Sequence, residues 1–160
     1  MTSAPSLQQP RDIRTALSCA ALIRLVGEID DHGAIPARGL ARILADLSAD
    51  RIRQAVEQAD SLGVLARTPG TVGLSAAGRD LADVYDATAR WARRHNHPAA
   101  HCDFADRIRS TFALLGMPTA DAWDPESERE AELGRIERLV AEWVRNHRTQ
   151  RTRRIDGVAA

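Results

Sequence analysis

The chain has 160 residues, enough for one ordinary domain with accessory helices and too few for two large ones. Its 22 basic and 22 acidic residues cancel, so no global positive field marks a nucleic-acid partner, and any such contact has to be arranged locally. All the basic residues are arginine, which can grip phosphate and the guanine edge bidentately where lysine offers only a point charge.

Residues 1–11 are polar, carry two prolines and show no apolar period, which reads as a disordered leader. From 12 to 30, Ile13, Leu17, Ala20, Ile23, Val26 and Ile29 recur at helical spacing and predict one strongly buried helix that ends at Asp30-Asp31-His32-Gly33. Pro36 suits the first turn of a short second helix, whose apolar face is Leu40, Ile43, Leu44 and Leu47. Ser48 is placed to cap a third helix with Ile52, Val56, Ala59 and Leu62 inward, stopped by Gly63. Two β-prone stretches, 64–68 and 71–74, flank Pro69-Gly70 and predict a tight hairpin.

Ser75 then caps a helix with Leu81, Val84, Tyr85, Thr88, Trp91 and Ala92 at three-four spacing, ended by Pro98. Phe104, Ile108, Phe112 and Leu115 mark another helix, closed by Gly116 and Pro118, and 119–124 reads as a linker. Pro125 opens a last helix with Leu133, Ile136, Leu139, Val140, Trp143 and Val144 as its stripe, and the basic segment 148–160 reads as a flexible tail.

The order helix, helix, helix, hairpin, helix is that of a mainly α, winged helix-turn-helix fold: a three-helix core plus a two-stranded β-wing, with additional C-terminal helices. Residues 46–48 would be its turn. The run Gly63-Val64-Leu65-Ala66-Arg67, followed by Gly73-Leu74-Ser75-Ala76-Ala77-Gly78-Arg79-Asp80-Leu81, resembles the wing and following helix of MarR-like and HxlR-like transcriptional regulators. Trp91-Ala92-Arg93-Arg94-His95 is similar to the end of the HxlR-type dimerisation helix. The resemblance covers residues 15–97 and implies a DNA-binding regulator, a repressor in the simplest case. It divides the chain into the leader, a winged helix-turn-helix domain with its following helix (12–97), a C-terminal helical dimerisation region (98–147) and the tail.

In such a module the helix after the turn enters the major groove, which accepts an α-helix and displays a readable pattern of donors and acceptors. Arg51, Arg53 and Gln54 are the candidate readers, with Ser48 and Gln58 on the same element. Arg67 and Thr71 flank the hairpin turn, and Arg38 sits near a helix N-terminus that favours phosphate. Residues 36–71 hold five arginines against Asp46, Asp50, Glu57 and Asp60, a net of +1. That predicts modest, salt-sensitive affinity for double-stranded DNA and a need for two subunits. The apolar stripe of the last helix, distant in sequence from the rest of the core, is the expected homodimer surface.

His95, His97, His101 and Cys102 form the one constellation able to carry chemistry. Their spacing matches no standard zinc signature, so no metal and no cofactor is expected, with His97, His101 and Cys102 as the ligands if a metal- or thiol-responsive sensor is the better reading. Cys19 and Cys102 form no C-x-x-C pair and are read as reduced thiols. No nucleophile–base pair, acid pair or phosphate-cradling Gly-rich loop stands at recognisable spacing, so no enzyme is expected. No apolar run approaches the roughly 18 residues of a membrane span, and the N-terminus lacks a signal peptide's apolar stretch, which predicts a cytoplasmic protein without membrane contact. The C-terminal helices leave room for a small-molecule effector. Neutral charge motivates the rival reading, a winged helix that binds protein and not DNA.

Overall fold

A computed structural model describes residues 10–115 and 127–158. The chain is mainly helical, with one small antiparallel sheet. In order come α1 (Pro10–Leu17), α2 (Ala20–His32), β1 (Ile35–Pro36), a 3-10 turn (Ala37–Gly39), α3 (Leu40–Ile43), α4 (Ala49–Ser61), β2 (Leu65–Thr68), β3 (Thr71–Leu74), α5 (Ala76–Arg94), α6 (Phe104–Leu115) and α7 (Glu128–Val158). The proposed leader is thus helical from Pro10, and its first nine residues lie outside the described ones. So do Gly116, Pro118, the linker 119–124 and Pro125.

The single helix expected over 12–30 is two helices, broken at Ser18 and Cys19. Ser18 donates its hydroxyl back to the Arg14 carbonyl at 2.9 Å, a local bond that competes with helix continuation. The carbonyls at the break draw distant donors: the Gln58 side chain reaches Ala16 O at 3.2 Å, beside the local bond from the Cys19 amide, and the Tyr85 hydroxyl reaches Leu17 O at 2.7 Å. Tyr85 is fully enclosed, and burial pushes its phenol far above the usual range, so it stays a neutral donor.

Pro36 stands just before the 3-10 turn that leads into α3, and not inside the first turn of an α-helix. It lies in β1, where Ile35 pairs with Val72 and Pro36 with Thr71, giving the three-stranded order β1-β3-β2. An edge strand tolerates the missing proline N–H. The hairpin is as expected, with Leu65 opposite Leu74 and Thr68 opposite Thr71 across Pro69-Gly70. Gly70, at φ 80°, takes the left-handed conformation that the turn requires.

Helix α4 stops at Leu62, and Gly63, at φ 70°, turns the chain back so that the Val64 amide reaches Ala59 O at 3.1 Å. Ser75 then pins the start of α5 to this corner. Its amide donates to Val64 O at 2.9 Å, its hydroxyl donates to Gly63 O at 2.7 Å, and the same hydroxyl oxygen accepts from the Gly78 amide at 3.1 Å. A Cβ on Gly78 would lie 2.0 Å from Val64 O, so only glycine permits this approach of helix to hairpin.

One apolar cluster extends from Ile13 and Leu17 through α2, α4 and α5 to Ile108 and Phe112 of α6 and Ile136, Val140, Trp143 and Val144 of α7. On α4 the buried face is Ile52, Ala55 and Ala59, with Val56 only half-buried. Helix α7 lies along α5, and the Trp143 indole N–H donates to Ala77 O at 2.9 Å. The stripe assigned to a dimer surface is therefore covered by the chain's own α5, and Leu139, 40% exposed, is the large apolar side chain left in solvent among the described residues. Residues 148–158, expected as a loose tail, continue α7.

Candidate nucleic-acid interface

The turn between α3 and α4 is fixed from two sides. Arg24 of α2 reaches across it and donates both guanidinium nitrogens to the Asp46 carboxylate, at 2.5 and 3.0 Å. Those bonds hold the Asp46 carboxyl below the usual carboxylate range and raise the Arg24 guanidinium further. Ser48 accepts from the Arg51 amide at 3.3 Å, so it is an N-cap as expected, with its hydroxyl proton still free to donate outward. Hence α4 starts at a defined place and angle.

With Ile52 and Ala55 inward, the first two turns of α4 expose Ala49, Asp50, Arg51, Arg53 and Gln54. Arg53 is tied to Asp50 at 2.8 Å, whereas Arg51 and Gln54 have no side-chain partner among the described residues. Gln58 is not a groove-facing residue. It is half-buried and committed to Ala16 O, and so joins α4 to the end of α1.

On the hairpin, Arg67 bends back to Asp60 of α4 through bonds of 3.1 and 2.5 Å, and the Thr71 hydroxyl pairs with that of Thr68. Exposed ion pairs of this kind are worth at most about 1 kcal/mol, so phosphate could compete for Arg67. The Ala37 amide donates to Gly70 O at 2.9 Å, which sets the 3-10 turn carrying Arg38 against the hairpin tip. Arg38 and its neighbour on α3, Arg42, are exposed and unpaired among the described residues. Arg42 was missed by sequence reasoning, since α3 was read only for its apolar face. Arg24 was missed too, although a lone arginine within an apolar helix was the available signal.

The histidine-rich segment is built around Trp91 and Arg107. The Trp91 indole donates to Arg129 O at 3.2 Å, and its ring meets those of His95 and His97 with centroids 4.9 and 5.8 Å away. Glu132 of α7 binds His95 at 3.1 Å and Arg94 at 2.5 Å; the His95 bond first, then Arg94, holds its carboxyl below the usual range. Arg107 donates to the carbonyls of Cys102 and Ala100, each at 3.2 Å, while the Cys102 thiol points to Ala99 O and His101 is exposed. Among the described residues no group of three or more His, Cys, Asp or Glu side chains is gathered as a metal site. Nor is any of their helices long and apolar enough to cross a membrane. Comparisons of the chain with protein-family models, with curated proteins and with solved structures returned no match.

Proposed function

We propose that the chain is a winged helix-turn-helix transcriptional regulator that binds double-stranded DNA through the N-terminal half of α4. The observation that carries this reading is the exposed, unpaired Arg51 and Gln54 on a helix whose start is fixed by the Arg24–Asp46 clamp and the Ser48 cap. Arginine can read guanine and glutamine can read adenine, each through a bidentate contact. Arg38 and Arg42 on the preceding elements, and Arg67 once released from Asp60, supply backbone contacts. The helix–helix–hairpin order and the β1 strand backing the hairpin support the same assignment. The small local charge surplus argues that two copies share one duplex, as a homodimer on paired half-sites.

Arg53 and Arg67 are neutralised by the chain's own acids, which favours the rival, a protein-interaction module. Selection of a random duplex library on the purified protein decides between them. An enriched sequence whose affinity falls steeply with salt supports the DNA reading. Failure to enrich any sequence, together with no salt-dependent retention of duplex, refutes it.

A further inference from the structure

At the opposite end of α4 from the proposed reading residues lies a groove of about 470 Å³, lined by Gly63, Ser75, Ala76 and Ala77 on one side and by His147, Gln150, Arg151 and Arg153 of α7 on the other. We propose that this groove binds a phosphate group. Its floor is the N-terminus of the 19-residue α5. Ser75 caps the Gly78 amide, which leaves the Ala76 and Ala77 amides with no intrahelical acceptor, at the positive end of the helix dipole.

Opposite them stands His147, only 4% exposed, with its imidazole stacked on Trp143 at 4.9 Å and without a hydrogen bond to any described residue. Burial, and then the Arg151 charge, pull its pKa below the ordinary histidine value, so the ring is neutral at pH 7 and still has one N–H to donate. Arg151 and Arg153 are exposed at the rim and unpaired among the described residues. Two amides, one imidazole N–H and two guanidinium forks make a donor set suited to the oxygens of a tetrahedral anion.

Leu62 lies thirteen residues beyond Ala49, about 20 Å along the helix at 1.5 Å per residue. That separation places the groove away from the proposed DNA face and favours a small phosphorylated molecule over the DNA backbone as the source of the phosphate. Bound there, it would tie α7 to the corner where α4, the hairpin and α5 meet.

The test is a titration of the full-length, 15N-labelled protein with inorganic phosphate, at constant ionic strength and pH in chloride buffer. The expected result is a saturable shift of the Ala76 and Ala77 amide signals. Arg151→Gln combined with Arg153→Gln should weaken binding about tenfold or more, since charge-assisted bonds are lost from both arginines. His147→Phe, which keeps a ring on Trp143, should also weaken it. Arg138→Gln combined with Arg148→Gln, which removes the same net charge from other turns of α7, should leave the binding constant unchanged.

Adding duplex DNA identifies the source: displacement of bound phosphate assigns the groove to the DNA backbone, and its retention assigns it to a free ligand. Shifts that never saturate, or that the Arg151/Arg153 variant retains at full affinity, overturn the proposal. The titration is read on the protein alone, so its outcome does not depend on whether the chain binds DNA.

Discussion

Replacing Gly78 with alanine probes the corner that sets α5 against the hairpin. The added Cβ would meet Val64 O at 2.0 Å, Val64 C at 3.0 Å and the Leu74 side chain at 3.2 Å, and the closest of these is backbone, unable to rotate away. Relief requires α5 to withdraw, which breaks the Ser75 bonds to Val64 O and Gly63 O. Overpacking costs about 1–3 kcal/mol and each lost hydrogen bond about 1 kcal/mol, so Gly78→Ala should destabilise by about 3–5 kcal/mol. That is a large part of the roughly 5–15 kcal/mol that holds an ordinary domain together. The melting temperature should drop by about 10 °C or more, followed by circular dichroism at 222 nm. Gly134→Ala is the matched control: Gly134 lies inside α7 with nothing within 4 Å of a Cβ, so the substitution should stabilise by about 0.5–1 kcal/mol through helix propensity alone. A Gly78→Ala protein that melts within about 2 °C of the native one would refute the described approach of α5 to Val64.

Trp143→Phe keeps part of the packing but removes the indole bond to Ala77 O, a carbonyl that retains its place in the α5 hydrogen-bond ladder, so the loss is one net hydrogen bond and some ring contact. It should cost about 1–3 kcal/mol in urea denaturation, and a smaller loss would mean that α7 does not dock on α5 as described. His147 is held below its ordinary pKa, so between the two values the unfolded chain binds more protons than the folded one. Its contribution is therefore intact above the ordinary histidine pKa of about 6.5 and is lost as pH falls below it. The urea midpoint in phosphate-free buffer should fall between about pH 7 and pH 5, and His147→Phe should flatten that slope; equal slopes would contradict the assigned burial.

Most of the helices and the hairpin were legible because their signals are local: apolar residues at helical spacing, serine caps at Ser48 and Ser75, and Pro69-Gly70 between β-prone runs. The features that escaped depend on residues far apart in sequence. The break at Ser18 is stabilised by Gln58 and Tyr85, 42 and 68 positions away from the carbonyls they reach. Strand β1 is two residues long and exists only because β3 offers it an edge. The cover of the α7 stripe could not be chosen from the sequence either, because a stripe specifies that it must be buried and not against what. Of the candidate site, Ser48, Arg51 and Gln54 lie on α4 where the reading placed them, whereas Arg38 sits in a 3-10 turn whose leading amide, that of Ala37, is taken by Gly70 O and is not free for phosphate. Gln58 was misassigned because the face of α4 that meets α1 is polar at that point, and the ion pairs of Arg53 with Asp50 and Arg67 with Asp60 were not foreseen. The groove beside His147 went unseen because its basic wall belongs to a segment read as tail.

The central claim is tested most directly by titrating the duplex enriched in the library selection with native protein and with Arg51→Ala, followed by fluorescence anisotropy at fixed salt. Arg51 is exposed and its side chain makes no hydrogen bond or ion pair among the described residues, so its removal should leave the melting temperature nearly unchanged. A base-reading arginine should cost about 1–3 kcal/mol of specific affinity, roughly 5- to 150-fold in Kd, and should relax preference at one base pair. Equal affinity and equal sequence preference in the two proteins would contradict the assignment of α4 as the reading helix.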